Sequence, residues 1–124
     1  MVSLHERVGG EAFFVALVDR FYAGVAEDEL LRPLYPEADL AGARARLTGF
    51  LVQYWGGPTT YSDERGHPRL RMRHAPFPVD VAARDRWLGH MREAVGATAT
   101  DPEVANELLA YFEQAADAMR NTPG

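Results

Sequence analysis

His74 stands in the run RLRMRHAPFPV, residues 69–79, where a metal ligand, apolar side chains and several cations crowd together. Pro76 and Pro78 cannot continue a helix, because proline lacks an amide proton and its ring clashes with the preceding turn. The spacing therefore predicts a short helix that ends at His74. On that helix Leu70 and His74, four apart, share a face, and Arg69 and Arg73 make the neighbouring stripe. An imidazole on an apolar surface edged by guanidinium groups suits a flat apolar plate with a metal at its centre and carboxylates on its rim. Haem has that form: a neutral imidazole binds the iron, and arginines pair with the propionates. Taken alone, the same run also fits a helix-capping or surface histidine beside a solvated arginine face. The other histidines, His5 at a frayed start, His67 in a loop and His90 on a helix, read as solvent-facing or structural.

Tyr22, Tyr35 and Trp87 add a second chemical set, from three separate segments. A buried tyrosine or tryptophan needs an acceptor for its O–H or N–H. Iron-bound O₂, which carries partial negative charge, is such an acceptor, and so is an ordinary backbone carbonyl in an amphipathic core.

The elements that must carry these residues are helical. Phe14, Leu17 or Val18, Phe21 and Val25 recur with the helical period between Gly9-Gly10 and about Glu27, with Tyr22 just off the apolar stripe. Leu40, Ala43, Leu47, Phe50 or Leu51, and Tyr54 form a second stripe, stopped by Gly56-Gly57-Pro58. Val81, Leu88, Met91 and Val95, with Trp87 beside them, form a third that ends near Gly96. Val104, Leu108, Tyr111 or Phe112, Ala115 and Met119 form the last, opened by Asp101 and Pro102 as cap and first turn. No segment alternates as a strand does. The prediction is an all-α single domain over residues 1–124. Residues 28–37 read as a short helical turn broken by Pro33 and Pro36, and residues 56–68 as a long loop. A loop of that length in a compact domain usually has a task or covers something.

Composition narrows the rest. The absence of cysteine removes disulfides and thiolate chemistry. All 13 basic residues are arginine, so no lysine is present to form a Schiff base or to grip a phosphate. A formal charge of -5 argues against a general nucleic-acid binder. No apolar stretch approaches the 18 or so residues of a membrane span. The acidic, apolar-poor start reads as no secretory signal, which makes a cytoplasmic protein the expectation.

The runs FYAGVAEDELLRPLYPE, FLVQYWGGPTTYSDERGHPRLRMRHAPFPV and RDRWLGHM, with Gly9-Gly10, resemble the group II truncated haemoglobins along nearly the whole chain. The resemblance implies a two-over-two helical sandwich around haem b. It makes His74 the proximal iron ligand and puts Tyr22, Tyr35 and Trp87 on the distal side. Ala43 falls where many globins carry a distal histidine, so no histidine gate is expected. Leu47 is expected over the haem face with Phe50 behind it, and Arg73 and Tyr61 are expected at the propionates. O₂, NO and CO are the implied ligands. An external reductase or other electron donor is the implied partner, and a homo-oligomer is compatible with the sequence.

Each lost hydrogen bond to a charge-bearing ligand costs roughly 1.5–3 kcal/mol. That amounts to about 10- to 150-fold in release rate. Three donors would thus slow release strongly, which suits NO dioxygenation or peroxide-type redox chemistry better than delivery. A reversible O₂ or CO carrier or sensor uses the same residues. A haem-free helical interaction module is the remaining alternative.

Overall fold

The computed structural model describes residues 3–35, 40–56 and 80–119. Among them the chain is helical, with no strand: α1 (Leu4–Arg7), α2 (Glu11–Ala26), a 3₁₀ turn (Arg32–Leu34), α3 (Ala41–Tyr54), α4 (Val81–Thr98) and α5 (Pro102–Met119). The expected long loop, apart from Gly56, and the short helix ending at His74 lie outside the described residues.

Local chemistry explains where the helices begin and end. Gly9 and Gly10 have φ of +93° and +94°, a region in which a Cβ clashes with the backbone, and they turn the chain between α1 and α2. Asp80 caps α4 by accepting from the Ala83 amide at 2.8 Å. Asp101 does the same for α5, accepting from Glu103 N at 2.9 Å, and Pro102 follows as the first helical residue. α4 runs through Gly96 to Thr98 and so exceeds the predicted end. Its last turn is helped by the Thr98 hydroxyl, which donates to the Ala94 carbonyl at 2.8 Å. α1 has no counterpart among the predicted helices. Ser3 caps it, and the His5 amide donates to the Trp55 carbonyl at 3.0 Å, which joins the start of the chain to the end of α3. The His5 ring stacks on Phe14 at 5.9 Å, so this residue is structural and not frayed.

α2 is the central element and packs against both α3 and α4, while α5 packs on α4. Phe14, Leu17, Val18, Phe21 and Val25 of α2 are fully buried, as are Leu51, Met91, Val95, Leu108 and Phe112 from the other helices. Each large apolar side chain removed from water in this way stabilises the fold by about 1.5–3 kcal/mol. Three stripe assignments change. Tyr22 is buried in the core and not at its margin, Ala116 is buried in place of Ala115, and Tyr54 is 51% exposed. Among the described residues, no helix is long and apolar enough to cross a membrane.

Candidate functional site

Tyr22, Tyr35 and Trp87 come together in one aromatic cluster. The Tyr22 and Tyr35 rings meet edge to face at 5.6 Å, Tyr22 meets Phe21 at 4.9 Å, and Phe21 meets Trp87 at 5.2 Å. Phe21, buried in the core, is the hub between α2 and α4. Edge-to-face contacts are the favoured arrangement of aromatic quadrupoles and hold ring orientations as well as distances. The Tyr35 segment is tied down by Arg32, whose guanidinium donates to the Tyr35 carbonyl at 3.0 Å.

On α3, Ala43, Leu47 and Phe50 fall at i, i+4 and i+7 and therefore share one side of the helix. Ala43 and Phe50 are buried and Leu47 is half-buried. His74, Arg73 and Tyr61 lie outside the described residues. The donor set fits a haem pocket in its chemistry: two phenols and an indole in the same apolar core as Ala43, Leu47 and Phe50 of α3. Trp87 and Leu47 are packed on the core yet only partly buried, so each retains apolar surface for a flat ligand to cover.

Behind the cluster is a polar clamp that the sequence did not announce. Asp28, 8% exposed, accepts from the Leu30 and Leu31 amides at 2.9 and 3.1 Å through Oδ1. Arg86 donates to the same oxygen at 3.1 Å, and His90 Nε2 lies 2.7 Å from Oδ2. A carboxylate only accepts, so the His90 proton is on Nε2. Burial works against ionisation of Asp28. The hydrogen bonds from His90, the two amides and Arg86 outweigh it and hold its carboxyl down at about 2. The other face of the His90 ring rests on Gly24, where a Cβ would come within 2.4 Å of Nδ1. The clamp thus joins α2 and the segment after it to α4, two residues beyond Tyr22 and one turn beyond Trp87. Its one sequence signal is Asp28 itself, an acid just after a helix and before a short turn.

A groove between α4 and α5, lined by Arg84, Asp85, Leu88, Arg92, Glu113 and Asp117, is a weaker candidate. Its charges are already paired, Arg84 with Asp117 and Arg92 with Glu113. Among the described residues, no group of three His, Cys, Asp or Glu side chains gathers to hold a metal.

Comparison with known proteins gives this cluster its setting. Residues 3–121 match the bacterial-like globin family. The group 2 truncated haemoglobin YjbI of Bacillus subtilis is 40% identical over 112 residues, which cover 90% of this chain and 84% of that protein. Among solved structures, a thermostable haemoglobin from the actinobacterium Thermobifida fusca is 54% identical with a TM-score of 0.96, over 99% of this chain and all (100%) of that one. A truncated oxygen-avid haemoglobin from Bacillus subtilis is 38% identical with a TM-score of 0.90, over 97% of this chain and 100% of that one. The all-α architecture is thereby the two-over-two sandwich of truncated globins. The chain belongs to the bacterial-like globins and, within them, to the group II truncated haemoglobins.

Proposed function

We propose that this chain would hold haem b through His74, and that Tyr22, Tyr35 and Trp87 would bind and polarise O₂ and related diatomic ligands in the pocket. Membership of the globin family implies haem. When bound, haem supplies an iron that takes small ligands and exchanges single electrons. The observation that carries the reading is the Tyr35–Tyr22–Phe21–Trp87 ring cluster, which unites three donors from three segments. The oxygen-avid character of the Bacillus subtilis relative supports the same reading.

The residues divide the work. Ala43, Leu47 and Phe50 offer an apolar wall that excludes water. The two phenols and the indole donate hydrogen bonds to a ligand that gains negative charge. On the family resemblance Arg73 and Tyr61 would hold the propionates, and the second ring nitrogen of His74 would donate to an acceptor that fixes its tautomer. Tight retention suits conversion of the ligand more than its delivery. The reactions we assign are NO dioxygenation, in which one NO, one O₂ and one electron give nitrate, and peroxide reduction. Both draw electrons from an external reductase or donor, which matches a cytoplasmic setting.

The test has two parts. His74→Ala should abolish tight haem uptake, and a normal Soret band in that variant refutes the ligand assignment. Stopped-flow consumption of NO by the oxygenated protein, with a reductase supplied, separates turnover from reversible carriage.

A further inference from the structure

Tyr22, Tyr35 and Trp87 stand on three elements, and Asp28 is joined to all three. It follows α2, the helix of Tyr22, and its amide donates to the Val25 carbonyl at 3.0 Å. Its Oδ1 accepts from the Leu30 and Leu31 amides, and its carbonyl accepts from the Arg32 amide at 2.9 Å. Those bonds fix the start of the segment that ends at Tyr35, whose amide donates to the Arg32 carbonyl at 3.1 Å. Leu31, buried in the core, anchors the same segment. On α4, Arg86 precedes Trp87 and His90 stands one turn after it, and both donate to Asp28. We propose that Asp28 is a positioning residue for the ligand pocket, a single clamp that sets where Tyr35 and Trp87 stand relative to Tyr22. The inference rests on the haem reading above.

Ring packing alone does not supply that precision. Edge-to-face aromatic pairs are favoured over centroid distances of about 4.5–7 Å. A hydrogen bond to a small ligand tolerates only about 0.5 Å of misplacement. The Tyr22–Tyr35 and Phe21–Trp87 contacts, at 5.6 and 5.2 Å, therefore leave room for more sliding than the donors can bear. Directional bonds to a buried carboxylate remove that slack. Arg20 and Glu93 also join α2 to α4, at 3.0 Å from Nε to Oε1, but that pair lies at an exposed edge.

The two carboxylate oxygens divide the work. Oδ1 faces three donors, the two amides and Arg86, and Oδ2 faces His90. In Asp28→Asn the side-chain carbonyl must face the three donors, because the opposite orientation sets an NH₂ against three N–H groups. The Tyr35 segment then keeps its acceptor. His90 loses its own, and α4 keeps only Arg86, now on a neutral partner. Asp28→Ala removes both oxygens and so loosens Tyr35 as well as Trp87.

The ferrous, haem-loaded protein with CO tests this through the C–O stretch in the infrared, which falls when a donor meets the ligand oxygen. Tyr35→Phe and Trp87→Phe are each expected to raise it. Asp28→Asn is expected to raise it too, with several-fold faster O₂ release, and to have no such effect in a Trp87→Phe background. Asp28→Ala adds a further rise that disappears in a Tyr35→Phe background; if it does not fold, Asp28→Asn carries the test. Arg20→Gln opens the exposed pair between the same helices and is expected to leave the band in place. A protein that takes up no haem overturns both this inference and the haem reading. A loaded protein whose band ignores Tyr35→Phe and Trp87→Phe overturns the donor assignment and the clamp with it. A band that answers to those donors but not to Asp28→Asn overturns the positioning role alone. An equal shift in Arg20→Gln, or an undiminished Asp28→Asn shift in the Trp87→Phe background, does the same.

Discussion

Asp28 is a nearly buried carboxylate that meets four donors, and its behaviour under acid follows from that. Its pKa in the folded chain, about 2, is below the ordinary 3.8. A depressed acid stabilises the fold above its unfolded pKa and loses that contribution as pH falls toward its folded value. The contribution is about 2 kcal/mol, by the linkage between pKa and stability. It is complete above about pH 4 and gone near pH 2. Asp28→Asn should therefore flatten the acid limb of the stability curve, measured by urea unfolding at pH 7 and near pH 2.5. The variant should accordingly lose about 2 kcal/mol at pH 7, because Asp28 is buried while the Arg86 and His90 donors it serves are partly solvated and keep water as an alternative acceptor. On the pocket side, Trp87→Phe removes one donor and keeps an aromatic ring against Phe21. It should raise the O₂ dissociation rate about 10-fold or more, and an unchanged rate in flash photolysis would remove Trp87 from the distal set. His90 read as a surface or structural residue in sequence, and the structural half of that reading holds. Its partner, 62 positions away, is invisible to any local pattern.

At the scale of the element, α2 and α4 are held together by packing on one side and the Asp28 clamp on the other. Gly24 makes the second possible. In an exposed helix, glycine to alanine ordinarily stabilises by up to about 1 kcal/mol. Here the added methyl meets the His90 ring at 2.4 Å, so the ring must leave and its bond to Asp28 must break. Gly24→Ala should thus destabilise by about 1–3 kcal/mol in the parent, yet become neutral or stabilising in a His90→Ala background. Thermal melts of the four members of that cycle check it, and additivity would refute the contact. The long helices were legible because Phe14, Leu17, Phe21 and Val25, or Val104, Leu108 and Phe112, keep the period of 3.6 over several turns. α1 was not, since Leu4–Arg7 is a single turn and too short to have a period. Tyr54 was misread because it keeps the register of its stripe at the last residue of α3, where the core has already ended.

For the molecule as a whole, the core and the candidate pocket share walls. Phe21 is both the centre of the core and the hub of the ring cluster. A ligand that binds only the folded chain stabilises it by about 4 kcal/mol when present at about 1,000 times its dissociation constant. Haem should accordingly raise the melting temperature by several degrees, and His74→Ala should abolish that rise. Equal melting with and without haem would contradict a pocket built from core residues. The fold class was within reach of periodicity alone. The gathering of Tyr22, Tyr35 and Trp87 was not, because nothing in the spacing of residues 22, 35 and 87 makes them neighbours. It came from the resemblance to a family, and the ring contacts now give it a physical form.

Gly24 and His90 also set the order in which this lineage can change. Any side chain acquired at position 24 while the imidazole is in place collides with it, so that step carries a cost in stability. Loss of the imidazole first opens the space, after which position 24 is free to vary. Among relatives, a residue larger than glycine at 24 should therefore be found mainly where 90 is not histidine, a historical bias written by one missing methyl group.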